Sequence, residues 1–239
     1  MFRIFISVVL FLLPCNLFYI SNYSLVERSG ELLAYQTTLS GAYPRGIKIF
    51  IFDKKKMSYG VSLERPKNKD FVLNSNFFTD NAPIGLVLDA GRILNPKVRG
   101  GGFFYVKNNI PYIGQRVPKK TESASQTFLV GIKDGRKNVK ILSPETAKEK
   151  TYRSLLGEDG DGNFILIVTG DHFCRASIEE MLDIGLDFGI ETGVLFDGGP
   201  SVDYKLGLSK TSYSFKANVL FNGLRLAEDP MVYIHGSLK

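Results

Sequence analysis

FILIVTGDHFCRASIEEMLDIGLDFGIETGVLFDGGPS, residues 164–201, is the stretch on which the reading of the fold turns. Phe164 to Thr169 is a continuous apolar run rich in β-branched residues, the pattern of a strand buried on both faces. Ser177 then precedes Ile178-Glu179-Glu180-Met181-Leu182-Asp183-Ile184-Gly185-Leu186, whose apolar residues recur at helical spacing, with Gly189 just past the end. Ser177 and Glu180 stand three apart, as an N-cap and its capping-box partner do. Val194-Leu195-Phe196 is a second buried strand, so residues 164–196 read as a strand–helix–strand unit.

Outward from this unit the chain is a succession of short strands. Gly46 to Asp53 is rich in β-formers, and Phe71-Val72-Leu73 is an apolar strand that ends in a turn at Asn74. Ile84 to Asp89 before Ala90-Gly91, Gly102 to Val106 before Lys107-Asn108-Asn109, and Thr127 to Ile132 before Asp134-Gly135 read as hairpin arms. A shorter helix is predicted over Pro144 to Lys150. The fold class expected is α+β, with a mixed β-sheet, many hairpins, one main crossover helix and glycine-rich turns at strand ends. The 24 glycines and 18 phenylalanines agree with a β-rich chain full of tight turns.

The 239 residues suit one large domain, and 44% apolar with 23% charged residues excludes a disordered or fibrous chain. Arg3 followed by the apolar run from Ile4 reads as a secretory signal. Taken through Ile20, with Pro14, Cys15 and Asn16 as interruptions, the run also approaches the length of a membrane anchor. Residues 1–22 are therefore expected to be a signal peptide or N-terminal membrane anchor, and 23–239 the exported domain. Cys174 is the single cysteine beyond that segment, which excludes an intramolecular disulfide or a Cys-based zinc site within the domain. Its thiol reads as a small buried hydrophobe. The net charge of +6 is spread over short clusters, Lys54-Lys55-Lys56, Lys119-Lys120 and Lys148 to Lys150, which read as solvated loops. With no Trp and no interleaved basic–aromatic motif, no nucleic-acid partner is expected. The charge is compatible with anionic envelope polymers.

Asp197-Gly198-Gly199-Pro200-Ser201 follows the second buried strand, at the end where α/β units place ligands. Two glycines let the backbone approach a ligand and aim N–H groups at an anion, and a carboxylate there suits a base, a nucleophile or a metal ligand. A plain turn uses the same residues equally well. Asn74-Ser75-Asn76-Phe77-Phe78 also ends an apolar strand, and its amides suit sugar hydroxyls or phosphate, as they suit an Asx turn. Gln126 and Arg153 are further polar candidates, the latter able to grip phosphate with two N–H groups. His172 and His235 stand at no ligand spacing, so the chain offers no metal site of its own.

In order, Asn-Ser-Asn-Phe-Phe (74–78), Pro-Ile-Gly-Leu (83–86), Gly-Gly-Gly-Phe-Phe (100–104), Gln126, Arg153 with Gly157, the Ser-Ile-Glu-Glu helix start and Asp-Gly-Gly-Pro-Ser (197–201) resemble the phosphodiester glycosidase family. The resemblance covers roughly residues 45–225. It implies that Asn74 matches the Asn of the family's Asn-Gly-Gly-Phe-Phe segment, and that Asp197, Gly198, Gly199 and Ser201 match its Asp-Gly-Gly-x-Ser signature. Glu180 matches an acidic position, although its capping geometry already accounts for it. Asn76 stands where the family has glycine, and Pro200 where it often has glycine.

The resemblance further implies hydrolysis of a bond between a sugar anomeric carbon and phosphate in a glycan phosphodiester of the envelope or an exported polysaccharide. Asp197 is the expected nucleophile or base. Arg153 with the Gly198 and Gly199 N–H groups is expected to bind phosphate, and Asn74, Asn76 and Gln126 to orient sugar hydroxyls. No cofactor is implied, and a divalent metal bridging Asp197 to the phosphate is compatible with this arrangement. The alternative class is a non-catalytic envelope protein that binds a phosphorylated glycan.

Overall fold

The computed structural model describes residues 22–30, 32–38, 41–79, 82–139, 142–208, 211–218 and 232–239. The expected signal or anchor falls almost wholly on residues 1–21, outside the described residues, as does Cys15. No described helix is long and apolar enough to cross a membrane.

Three sheets make up the body. The first has eight strands in the spatial order Tyr23–Ser29, Leu32–Thr37, Ile47–Asp53, Asn163–Thr169, Ser154–Asp159, Ile190–Leu195, Leu129–Lys133 and Arg136–Lys137. The second orders Ile110–Gly114, Gly102–Lys107, Ser123–Thr127, Val87–Asp89 and Arg92–Asn95. The third orders Tyr213–Lys216, Asp203–Leu206, Phe71–Asn74, Tyr233–Leu238 and Met57–Ser62. The hairpins read from Ala90-Gly91, Asn108-Asn109 and Asp134-Gly135 are all present, with Ala90, Asn108, Asn109 and Asp134 at positive φ as tight turns demand.

Two expectations are corrected. The sheets are not mixed: every pairing among the described strands is antiparallel. The two strands joined by the crossover helix do not neighbour each other either, because Ser154–Asp159 lies between them and pairs with both. They run parallel without touching, and the helix bridges the intervening strand. The helices are also a smaller part than "α+β" suggests, one spanning Pro144–Lys148 and one Ile178–Asp187.

Ile178–Asp187 forms where the capping box predicts. The Ser177 hydroxyl accepts from the Glu180 N–H at 3.1 Å, and the Glu180 carboxylate from the Ser177 N–H at 2.8 Å. Its buried face, Ile178, Met181, Leu182 and Ile184, covers Ile49, Ile165, Ile167 and Leu195 of the first sheet. The opposite face of that sheet packs Phe50, Phe52, Phe164, Leu166 and Val194 against Phe71, Leu73 and Ile234 of the third sheet and Phe104 and Val106 of the second. Each such side chain contributes about 1.5–3 kcal/mol by leaving water. With both faces covered, the strands read as continuous apolar runs.

Gly157 shows how closely these layers fit. A Cβ there would lie 2.3 Å from Ile190 Cδ1 and 2.5 Å from its Cγ2. Gly157→Ala is therefore expected to lower stability by about 1–3 kcal/mol through overpacking. Trimming the opposing side chain in a Gly157→Ala/Ile190→Val double variant should recover part of that loss. Denaturant midpoints of the four proteins in this cycle check it, and simple additivity of the two changes would refute the direct clash.

Candidate active site

At one edge of the first sheet the strands Asn163–Thr169 and Ile190–Leu195 end and Ser154–Asp159 begins, since Val168 faces Ser154 and Leu195 faces Leu155. Arg153 and Asp197 leave the sheet side by side at this edge. The Arg153 backbone is fixed to Thr169, its N–H donating to Thr169 Oγ1 at 3.2 Å and its carbonyl accepting from Thr169 N–H at 3.0 Å. Phe196 N–H donates to the Ser154 carbonyl at 3.2 Å, and Asp197 N–H to the Ser75 carbonyl at 3.2 Å.

The turn after Asp197 is secured by Asn74. The Asn74 side-chain amide donates to the Asp197 carbonyl at 2.9 Å, and its oxygen accepts from the Asp203 N–H at 3.2 Å. Asn74 is wholly buried. Asp203, also buried, takes a two-pronged ion pair from Arg65 at 2.7 and 3.0 Å and a hydrogen bond from Tyr233 Oη at 3.1 Å. Gly199 has φ +64°, where the left-handed turn favours glycine, and donates its N–H to the Tyr152 carbonyl at 2.9 Å. A Cβ at Gly198 would stand 2.9 Å from the Tyr152 oxygen and 3.1 Å from Arg153 Nη1. The glycines thus let the turn press against Tyr152 and Arg153.

The Asp197 carboxylate faces this setting with 6% of the residue exposed. Burial pushes its pKa from 3.8 to about 6, against the Ser201 hydroxyl, the Gly198 N–H and Arg153, which favour the charged form. Arg153 is buried too, and burial lowers its pKa, with Glu149 and then Asp197 opposing. Its Nη2 donates to the Glu149 carbonyl at 3.2 Å and lies 3.9 Å from the Glu149 carboxylate. Its Nε is buried with no hydrogen-bond partner. A guanidinium keeps its charge at any ordinary pH, so this site holds a fixed cation with an unused donor beside a carboxylate that titrates.

The other expected site residues take different parts. Gln126 spends its whole amide on backbone, accepting from the Leu86 and Val98 N–H groups at 3.1 and 3.2 Å and donating to the Val98 and Gly100 carbonyls at 3.1 and 2.8 Å. Asn76 is buried, donating to the Gly85 and Leu86 carbonyls at 3.4 and 3.3 Å and accepting from Ser125 at 2.7 Å. Gln126 has no donor or acceptor to spare, whereas Asn74 spends one N–H and one oxygen lone pair on backbone; in these bonds the three amides position loops. The expected phosphate nest at Gly198 and Gly199 is corrected for the same reason, as the Gly199 N–H serves Tyr152 and the Gly198 N–H the Asp197 carboxylate. Glu180 is held by its capping role and by Lys150 at 3.0 Å.

Sequence reasoning missed Tyr152, Glu149, the Asp203–Arg65–Tyr233 cluster and the buried Ser75–Ser125 pair, whose hydroxyls lie 2.6 Å apart. Only tertiary contact joins these residues, although Tyr152 beside Arg153 was a local hint. A small hollow of about 160 Å³ lies between Phe77, Val98, Arg99 and Phe128, and Phe128 N–H donates to the Leu195 carbonyl two residues before Asp197. Among the described residues no group of three or more His, Cys, Asp or Glu side chains is placed to hold a metal.

A family model described as phosphodiester glycosidase matches residues 67–223. No curated protein sequence matches the chain. Among solved structures, the zebrafish N-acetylglucosamine-1-phosphodiester alpha-N-acetylglucosaminidase catalytic domain, auto-inhibited by its pro-peptide, is similar at TM-score 0.64 and 12% identity, covering 91% of this chain and 83% of that one. A hypothetical protein from Synechocystis is similar at TM-score 0.54 and 13% identity, over 87% and 62% of the two chains. A protein from Burkholderia pseudomallei whose name calls it exported is similar at TM-score 0.50 and 10% identity, over 86% and 74%. At these identities the likeness speaks for the fold alone.

The raised pKa of Asp197 has a measurable consequence. Below about pH 4 the group is protonated folded or unfolded and contributes no difference. Between about 4 and 6 the unfolded chain releases the proton while the folded chain keeps it, so stability falls as pH rises. Above about 6 the penalty is complete, on the order of 3 kcal/mol. Asp197→Asn is expected to be more stable than wild type at pH 8, with the gain fading toward pH 4. Melting curves of both proteins across that range check the sign.

Proposed function

The chain belongs to the phosphodiester glycosidase family, and from that premise we propose that it hydrolyses the bond between a sugar anomeric carbon and phosphate in an extracytoplasmic glycan phosphodiester. The observation that carries the reading is the juxtaposition at the sheet edge of a buried, titrating carboxylate, Asp197, and a buried Arg153 whose charge acts on it and whose Nε lacks a partner. A charged donor left unsatisfied in a dry site costs free energy until an anion arrives, which is how a binding group for a developing phosphate is kept ready.

Asp197, once ionised, is placed to act as nucleophile at the anomeric carbon or as base for the attacking water. The C–O bond to phosphorus breaks, its electron pair passes to the departing phosphate monoester, and Arg153 compensates that charge. Because this leaving group is already a stable anion, a general acid matters less than in ordinary glycoside hydrolysis. Asn74 sets the position of Asp197 by holding its carbonyl, and Ser201 holds the carboxylate. Export is supported by the basic start and apolar run at the N-terminus and by the name of the Burkholderia relative.

A panel of sugar-1-phosphodiesters, assayed for release of the phosphate monoester, tests the reading. Asp197→Asn should lower kcat by about 10²–10⁴-fold. Wild-type activity should rise with pH through about 6, as Asp197 loses its proton. Turnover unchanged in Asp197→Asn would remove Asp197 from the chemistry. Binding of the same phosphodiesters with no turnover by wild type would leave a receptor in place of a hydrolase.

A further inference from the structure

A second hollow, about 620 Å³, opens beside the Asp197 site where the loop after strand Asn163–Thr169 meets the turn before strand Ile47–Asp53. Gln36, Pro44, Arg45, Asp171, Phe173 and Arg175 line it. One residue separates it from the reacting edge. The Arg175 guanidinium lies 3.4 Å from the Tyr152 ring centroid, and the Tyr152 carbonyl accepts the Gly199 N–H. This volume is that of a small-ligand site.

Its charges are arranged for an anion. Arg175 is fixed by the Tyr152 ring and by Nη1 bonds to the His172 and Cys174 carbonyls at 2.7 and 3.3 Å. Its Nε and Nη2 meet no acceptor among the described residues, and Arg45 is exposed and unpaired among them. Behind them Lys48 Nζ donates to Gln36 Oε1 at 2.8 Å. Asp171 is the opposing carboxylate, and it is engaged locally, with Oδ1 accepting the Phe173 and Cys174 N–H groups at 2.9 Å each. Two guanidinium groups and one carboxylate therefore line the hollow, with Lys48 bonded to its Gln36 wall. Phe173 stands 84% exposed at the rim, an aromatic face suited to the apolar side of a sugar ring. Two guanidinium forks with an aromatic platform suit a phosphate carried on a sugar.

We propose that this hollow is a second substrate subsite that takes the next sugar phosphate of a phosphodiester-linked glycan, so that the enzyme acts on chains of repeating glycosyl phosphates. The proposal rests on the hydrolase reading above and adds the class of substrate to it.

Two probes separate them: a synthetic chain of three glycosyl phosphate units, and a single unit whose phosphate carries a methyl group. Wild type is expected to cleave the chain with a lower KM than the single unit. Arg45→Ala and Phe173→Ala, both on exposed side chains outside the Asp197 site, should each raise KM for the chain by about five- to tenfold while leaving kinetics on the single unit unchanged. Equal losses on both probes, or no loss on either, would overturn the subsite. If wild type cleaves neither probe, the hydrolase reading fails by itself, and equilibrium binding of the three-unit chain then decides. Weaker binding by Arg45→Ala sustains the subsite, and binding indifferent to that change sinks it.

Discussion

One buried amide holds the candidate site together. Asn74 closes a strand of the third sheet, and its two hydrogen bonds reach the Asp197 carbonyl and the Asp203 N–H, the two ends of the turn by which the chain passes from the first sheet into the third. The Asp197 N–H is taken by Ser75, the residue beside Asn74. Both backbone groups of Asp197 are thereby fixed, and its carboxylate is met by Ser201, the Gly198 N–H and the charge of Arg153. An amide this deeply buried costs about 1–3 kcal/mol for any group left unpaired, so the turn has little freedom to shift without breaking several bonds together. The Arg65–Asp203–Tyr233 cluster reinforces the far end of the same turn. Position at the reacting edge thus derives from polar contacts between sheets, while the sheets themselves are held by apolar packing.

That division explains what the sequence could disclose. Phe164 to Thr169, the Ser177–Glu180 capping box and the hairpin turns are local patterns, and local physics decides them. The antiparallel arrangement was hidden because Ser154–Asp159, interrupted by Gly157, carries a weak strand signal, yet it is the strand inserted between the two that the helix connects. The same limit applies to the amides. Asn74, Asn76 and Gln126 were visible as polar residues at strand ends, but their partners are carbonyls and N–H groups brought near only by the fold. In the fold these amides make bonds that support the loops around the proposed site. Asp197 and Arg153 stood out in the sequence for a different reason, since a charged side chain next to a buried apolar strand has few structural uses, and the fold sets the two side by side at one sheet edge.

Asp197 and Arg153 restrain one another. A buried carboxylate alone would stay protonated well above its usual range, and a buried guanidinium cannot shed its charge, so each makes the other tolerable. The compensation is partial, because Asp197 still titrates near 6 and the Arg153 Nε stays unpaired. In the proposed reaction this incompleteness is useful. The arriving phosphodiester is itself an anion and would repel Asp197, and Arg153, with its unspent donor, is the group able to hold both negative charges at once.

A second carboxylate is normally required in glycoside cleavage, to protonate the departing oxygen. Glu149 is the acid that pairs with Arg153, its oxygen 3.9 Å from the guanidinium, and it is largely exposed rather than set into the sheet edge. Among the described residues Asp197 is the buried carboxylate beside Arg153, an arrangement that offers no second buried acid there to protonate a departing alcohol. It is better matched to a leaving group that departs as a stable anion, and a phosphate monoester has that property before any proton is supplied. In the proposed reaction, the electrostatics of the sheet edge therefore suit a leaving group of the kind that the family's description implies.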